Sequence, residues 1–192
     1  MPVYPITRYP RTLQLRDGAC LTARPMTAAD RPALLRFFLH IPEAERFYLK
    51  DDVTSPKVIE SWTAQLDYDR ALPLLAMAGE RVVADAVLIR RRGGSRAHAG
   101  EIRIVVDPEY RGRGLGAGLT RELIEIAYDA DLKDVIFELV SGMQDEAIEA
   151  AHSMGAIPCG TVRGLVHDER GEDHDVTFLM LPLGKWWEWS RT

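Results

Sequence analysis

The 192-residue sequence is poor in cysteine, with only Cys20 and Cys159. Two thiols far apart, neither beside a histidine, provide neither a disulfide framework nor a local nucleophile–base pair, and both read as packing residues. No apolar run approaches the length of a membrane span. The opening Met1-Pro2-Val3-Tyr4-Pro5-Ile6-Thr7-Arg8 has no basic segment leading into an apolar core, so no secretory signal is expected and the cytoplasm is the expected location. An excess of positive charge is also missing. Lys and Arg number 24 against 29 Asp and Glu, a net charge of −5, which argues against general affinity for nucleic acid. The five histidines are scattered, and His167 and His174 flank an acidic turn, so no metal centre is expected. A P-loop needs Gly-Lys-Ser or Gly-Lys-Thr; the Gly-Lys pair here, Gly184-Lys185, runs into Trp186.

What is present is a globular composition, 46% hydrophobic and 28% charged, in a chain long enough for one well-cored domain. One domain over 1–192 is expected, with an N-terminal arm at 1–12 and a Trp-rich tail at 184–192. Alternating apolar residues around Asp17-Gly18 predict a hairpin over Leu13 to Arg24. Thr27-Ala28-Ala29-Asp30 can cap a helix carrying Leu34, Leu35, Phe37, Phe38 and Leu39, and a second helix follows Ser55-Pro56. The irregular stretch from Glu43 to Asp52 between them is the candidate for part of an acceptor site. Strands are expected at Leu74 to Ala78, Arg81 to Arg90 and Glu101 to Val106, with the Arg90 to Arg96 cluster read as a solvated hairpin loop. A helix containing Leu119, Leu123, Ile126, Ala127 and Tyr128 then leads to a strand at Val135 to Val140, which makes a parallel crossover. A helix from Asp145 to Met154, ended by Gly155, precedes strands near Thr161 to Val166 and Val176 to Leu181. The order predicts a mixed α/β sheet.

The most informative stretch joins the strand Glu101 to Val106 to Arg111-Gly112-Arg113-Gly114-Leu115-Gly116 and the helix it opens. Unpaired N–H groups and the positive end of the helix dipole meet there, and glycine lets a phosphate approach the backbone. A dinucleotide fingerprint started at Gly112 ends on Ala117, but the acidic residue of a following parallel strand is missing. Arg-x-x-Gly-x-Gly after Val105-Val106-Asp107-Pro108 instead resembles the acyl-CoA-binding motif of the GNAT superfamily of N-acyltransferases. Leu15-Arg16-Asp17-Gly18, Thr22 to Met26, Asp30 and Phe37-Phe38 look like its bacterial Pat-type protein lysine acetyltransferase branch.

That resemblance covers roughly Leu13 to Leu183 and implies the GNAT fold, acetyl-CoA as acyl donor and an amine acceptor. It implies Glu101 as general base, and Ile104, Val105 and Val106 as the strand beside the acyl group and pantetheine. Arg111, Gly112, Arg113, Gly114, Leu115 and Gly116 would hold the pyrophosphate. The family's usual Asn and thiolate-protonating Tyr look like Gln144 and Ala151 here, which leaves the general acid unassigned; His152 is a weak substitute because it points roughly 100° away from its neighbour. A protein lysine is the expected acceptor, with a small amine or amino acid as the alternative. A non-catalytic acyl-CoA sensor is the reading from another class. The tryptophans of the tail fold back on the domain or form a homodimer contact.

Overall fold

A computed structural model describes residues 6–184, so the Trp-rich tail from Lys185 onward lies outside the described residues. The hairpin around Asp17-Gly18 pairs β1 (Arg11–Gln14) with β2 (Cys20–Pro25). β1 starts within the stretch read as an arm. Tyr9 just ahead of it donates its hydroxyl to Glu122 at 3.0 Å.

The Thr27 to Asp30 turn is fixed by Asp30, whose carboxylate accepts from the Thr27 N–H at 2.7 Å and from both terminal nitrogens of Arg24 at 2.6 and 2.7 Å. Asp30 is only 6% exposed. Helix α1 (Arg31–His40) follows and buries Leu34, Phe37 and Phe38. Leu39, expected among the inward residues, is exposed, because the next position on a helix turns about 100° away from Phe38. A short helix α2 (Glu43–Arg46) interrupts the irregular stretch, and α3 (Pro56–Ala64) begins at the predicted proline.

The expected meander is present as β3 (Ala71–Ala78), β4 (Arg81–Arg90) and β5 (Ala99–Val106). Helix α4 (Leu115–Asp129) then crosses to β6 (Asp134–Val140), which pairs parallel with β5. Helix α5 (Asp145–Ser153), β7 (Ile157–His167) and β8 (Asp173–Pro182) complete one eight-stranded sheet in the order β1-β2-β3-β4-β5-β6-β8-β7. β7 is longer than the sequence suggested. Pro158 and Gly160 weaken a strand reading but are tolerated on an edge, where the register with β8 shifts beside them.

The sheet carries a core on each face. Leu115, Leu119, Leu123, Ile126 and Ala127 of α4 pack with Ile102, Val135 and Phe137; Leu34, Phe37 and Phe38 of α1 and Ile59 of α3 pack with Leu75, Met77 and Val82. β5 serves both: Ile102, Ile104 and Val106 face α4, while Val105 faces α1 and α3. The period-two alternation of a strand thus divides β5 between two layers. The two cysteines are not packing residues: Cys20 and Cys159 are both exposed. Cys159 lies on edge strand β7, and Cys20 opens β2 directly after its turn. No helix among the described residues is long and apolar enough to cross a membrane.

Candidate active site

β5 and β6 pair only through Ala99↔Asp134, Gly100↔Val135 and Glu101↔Ile136. Beyond Glu101 the two strands part, while β6 continues against β8 as far as Val140. A gap therefore opens in the middle of the sheet, edged by the rest of β5. The main-chain direction there follows from one hydrogen bond. Asp107 N–H donates to the Val83 carbonyl at 3.0 Å. Alternation then turns the main-chain groups of Val105 toward Asp85 of β4, and those of Ile104 and Val106 toward the gap.

At the closed end of the gap stands Glu101. Its Oε1 accepts from Arg103 Nε at 2.7 Å and from Lys50 Nζ at 3.0 Å. Lys50 also donates to Glu138 Oε2 across the gap. Glu138 is on β6, two residues beyond the partner of Glu101, and so on the same face of the sheet. One lysine ammonium is thus held between two carboxylates from the parting strands. Burial pushes the Glu101 carboxyl up, but the hydrogen bonds from Arg103 and Lys50 outweigh it and hold the group below the usual carboxylate range.

At the open end, Asp107 fixes the turn after β5 by accepting from Glu109 N–H at 2.9 Å and from Arg81 at 2.6 Å. Gly112 and Gly114 both lie in the left-handed region, with φ of 67° and 85°. A Cβ at Gly114 would come within 3.2 Å of Arg16 Cγ. Gly114 is the N-cap of α4, no side chain caps that end, and its first turn carries no acidic residue. The N–H groups at the helix start are therefore available to an anion. The two arginines of the turn are engaged with carboxylates. Arg111 donates to the Val106 carbonyl at 3.0 Å and in two-pronged fashion to Glu45 of α2, and Arg113 donates to Asp17 at 2.6 Å while lying over the Tyr110 ring. Open main-chain edge, uncapped glycine turn and the Glu101 carboxylate occupy one strand–turn–helix unit, an arrangement suited to a thioester donor with a pyrophosphate.

The model of the acetyltransferase (GNAT) family matches residues 36–156. The chain belongs to the GNAT family. Its fold recurs in the GNAT domain of S. lividans PAT, at 22% identity over 90% of this chain and 96% of that one, with a TM-score of 0.71. It recurs in a ribosomal-protein-alanine N-acetyltransferase from Brucella melitensis, at 25% identity over 83% and 98%, TM-score 0.71. A further likeness is yncA of Salmonella typhimurium, solved with its cofactor acetyl-CoA, at 20% identity over 86% and 95%, TM-score 0.72. No curated protein sequence matches. The protein is an acyl-CoA N-acyltransferase that uses acetyl-CoA as its donor.

In this GNAT chain the positions read as the family's Asn and Tyr have other duties. Gln144 caps the turn before α5 by accepting from the Val140 N–H at 2.8 Å. Ala151 is buried and offers no hydroxyl. His152 Nδ1 lies 3.0 Å from the Ala156 carbonyl, at the end of its own helix. His40, Asp107 and Glu109 bring ligand atoms within 4.8 Å of one another, but Arg81 bonds both carboxylates and supplies the positive charge there. Two residues of the candidate site were not singled out in the sequence. Glu138 was legible from the alternation of β6 combined with parallel pairing to β5. Lys50 lies in the stretch from Glu43 to Asp52 expected to form part of the acceptor site, but nothing local singled it out, since the fold alone carries that stretch back over the gap.

Proposed function

We propose that the protein transfers the acetyl group directly from acetyl-CoA to a primary alkylammonium, with a protein lysine as the acceptor and Glu101 as general base. The observation that carries this reading is the Lys50 ammonium held between Glu101 and Glu138, a lysine side chain already seated beside the proposed base. Two carboxylates select a cation, and neither alone would fix its position across the gap. The Pat-like run around Asp17-Gly18 and Phe37-Phe38 supports the same acceptor class.

An ammonium must lose its proton before it can attack. Glu101, ionised at neutral pH, takes that proton directly or through a water. The gap-facing N–H of Ile104 is placed to donate to the thioester carbonyl, and the Val106 main chain to pair with the pantetheine arm, as an added strand would. Leu115, Gly116 and the glycines before them offer N–H groups to the pyrophosphate. The amine nitrogen bonds to the carbonyl carbon, and the amide forms as the C–S bond breaks. With alanine at 151, water protonates the departing thiolate.

The test is CoA release by wild type and Glu101→Gln on lysine-bearing peptides, small amines and amino acids, with acetyl-CoA affinity measured alongside. Glu101→Gln is expected to lose at least ~100-fold in kcat with donor affinity retained. Undiminished turnover would overturn the assignment of the base. Acetylated small amines without acetylated peptides would replace the acceptor class, and donor binding with no product from any acceptor would favour a sensor.

A further inference from the structure

We infer that Lys50 is itself an acceptor: in the absence of another amine, the protein acetylates Lys50 in cis. The inference rests on the proposed role of Glu101 and goes beyond it by naming a modification site.

Lys50 Nζ is the amine that the base holds, 3.0 Å from Glu101 Oε1 and bonded to Glu138. It arrives on a segment anchored on both sides of it. Glu45 is tied to Arg111 of the glycine turn, and the Tyr48 ring packs edge-on against His174 of β8 with centroids 5.5 Å apart. Beyond Lys50, Asp52 accepts from the Thr54 N–H at 3.1 Å and its hydroxyl at 2.6 Å at the entrance to α3. A chain fixed at these points delivers the ammonium to the closed end of the gap, beside Glu101, without a bimolecular encounter, which raises its effective concentration above that of a free amine. Lys50 is also accessible enough to move, its side chain being 39% exposed.

The step balances with acetyl-CoA alone. Lys50 gives one proton to Glu101, its nitrogen lone pair forms a bond to the thioester carbonyl carbon, and the C–S bond breaks. The nitrogen then sheds its second proton, which passes through water to the departing CoA thiolate, and the proton on Glu101 returns to solvent. The product is an uncharged acetamide that no longer pairs with Glu101 and Glu138. Acetylation therefore releases Lys50 from the acceptor place and leaves both carboxylates to an incoming ammonium.

The experiment incubates the full chain with acetyl-CoA and no added amine, and follows intact mass, the acetylated peptide and CoA release over a range of protein concentrations. Wild type, Lys50→Arg, Glu101→Gln and urea-unfolded wild type are compared, each also assayed on the amine and peptide panel. The expected result is one acetyl group on Lys50, with a rate constant independent of protein concentration. It is absent at that position in Lys50→Arg and at least ~100-fold slower in Glu101→Gln. Equal labelling of Lys50 in Glu101→Gln or in unfolded protein would mean simple chemical acetylation and overturn the inference. Lys50 left unmodified by a protein that acetylates added amines through Glu101 would overturn it while the proposed function stands. Glu101-independent turnover of added amines would remove the base on which both rest.

Discussion

Glu101 is worth most as an ionised group. Because the Arg103 and Lys50 hydrogen bonds more than offset its burial, its folded-state titration lies below the ordinary carboxylate range. Protonating it therefore requires a pH below the ordinary carboxylate range. Between pH 5 and 8 the rise of kcat/KM is expected to follow the acceptor amine, with no inflection from Glu101. The pH profile of wild type checks this. An inflection near pH 6 that vanishes in Glu101→Gln would show that the two donors do not control the group. Only part of this arrangement was legible in the sequence. Glu101 was readable through the resemblance to the Pat-type branch, at the start of the strand that leads into the glycine turn. Glu138 needed the register of two strands separated by a whole helix, and Lys50 needed the path of a segment without periodicity.

At the scale of elements, the glycine turn and α2 compete for one cation. Arg111 is bonded by Glu45 and by the Val106 carbonyl, on the very edge where the donor is expected to lie. Glu45→Gln removes the competing anion and is expected to tighten acetyl-CoA binding a few-fold, since the exposed pair is worth only about 1 kcal/mol or less. Arg111→Ala is expected to weaken binding. Calorimetric titration with acetyl-CoA decides, and weaker binding in Glu45→Gln would mean that Glu45 positions Arg111 for the donor. Gly114→Ala tests the turn itself. A left-handed φ of 85° and a 3.2 Å approach to Arg16 would cost an alanine about 1–2 kcal/mol, and the displaced helix start would lower donor affinity with it. The glycine spacing made this element readable, because turn, uncapped helix and strand are contiguous in sequence. The engagement of Arg111 with α2 was not readable, for its partner is 66 residues away.

For the whole molecule, two buried aspartates on the α1/α3 face of the sheet set opposing responses to pH. Asp30 is held below its ordinary range, mainly by its hydrogen bonds from Arg24, so it stabilises the fold above the unfolded-state value near 4 and that contribution is lost as pH falls through the lower folded value. Asp85, in the middle of β4 opposite Val105, is 5% exposed with Oδ1 unpartnered, and burial raises it to about 7. For a raised carboxyl the sign reverses. The unfolded chain gives up this proton near pH 4 and the folded chain near 7, so stability is full below about 4 and declines as pH rises between the two. Together they predict a Tm maximum on the acid side of neutrality, around pH 4–5, unusual for a protein with a net charge of −5. Asp85→Asn is expected to raise Tm at pH 8 and to flatten the decline between pH 4 and 7. Asp30→Asn is expected to lower Tm at pH 7 by the equivalent of about 3 kcal/mol, because Arg24 loses its partner beside the α1 start, and to soften the acid limb. Thermal unfolding of the three proteins across pH 3–9 separates these contributions. A Tm that climbs from pH 4 to 7 in wild type would mean that Asp85 is ionised in the fold, and that water or a shifted side chain satisfies the Oδ1 now found without a partner.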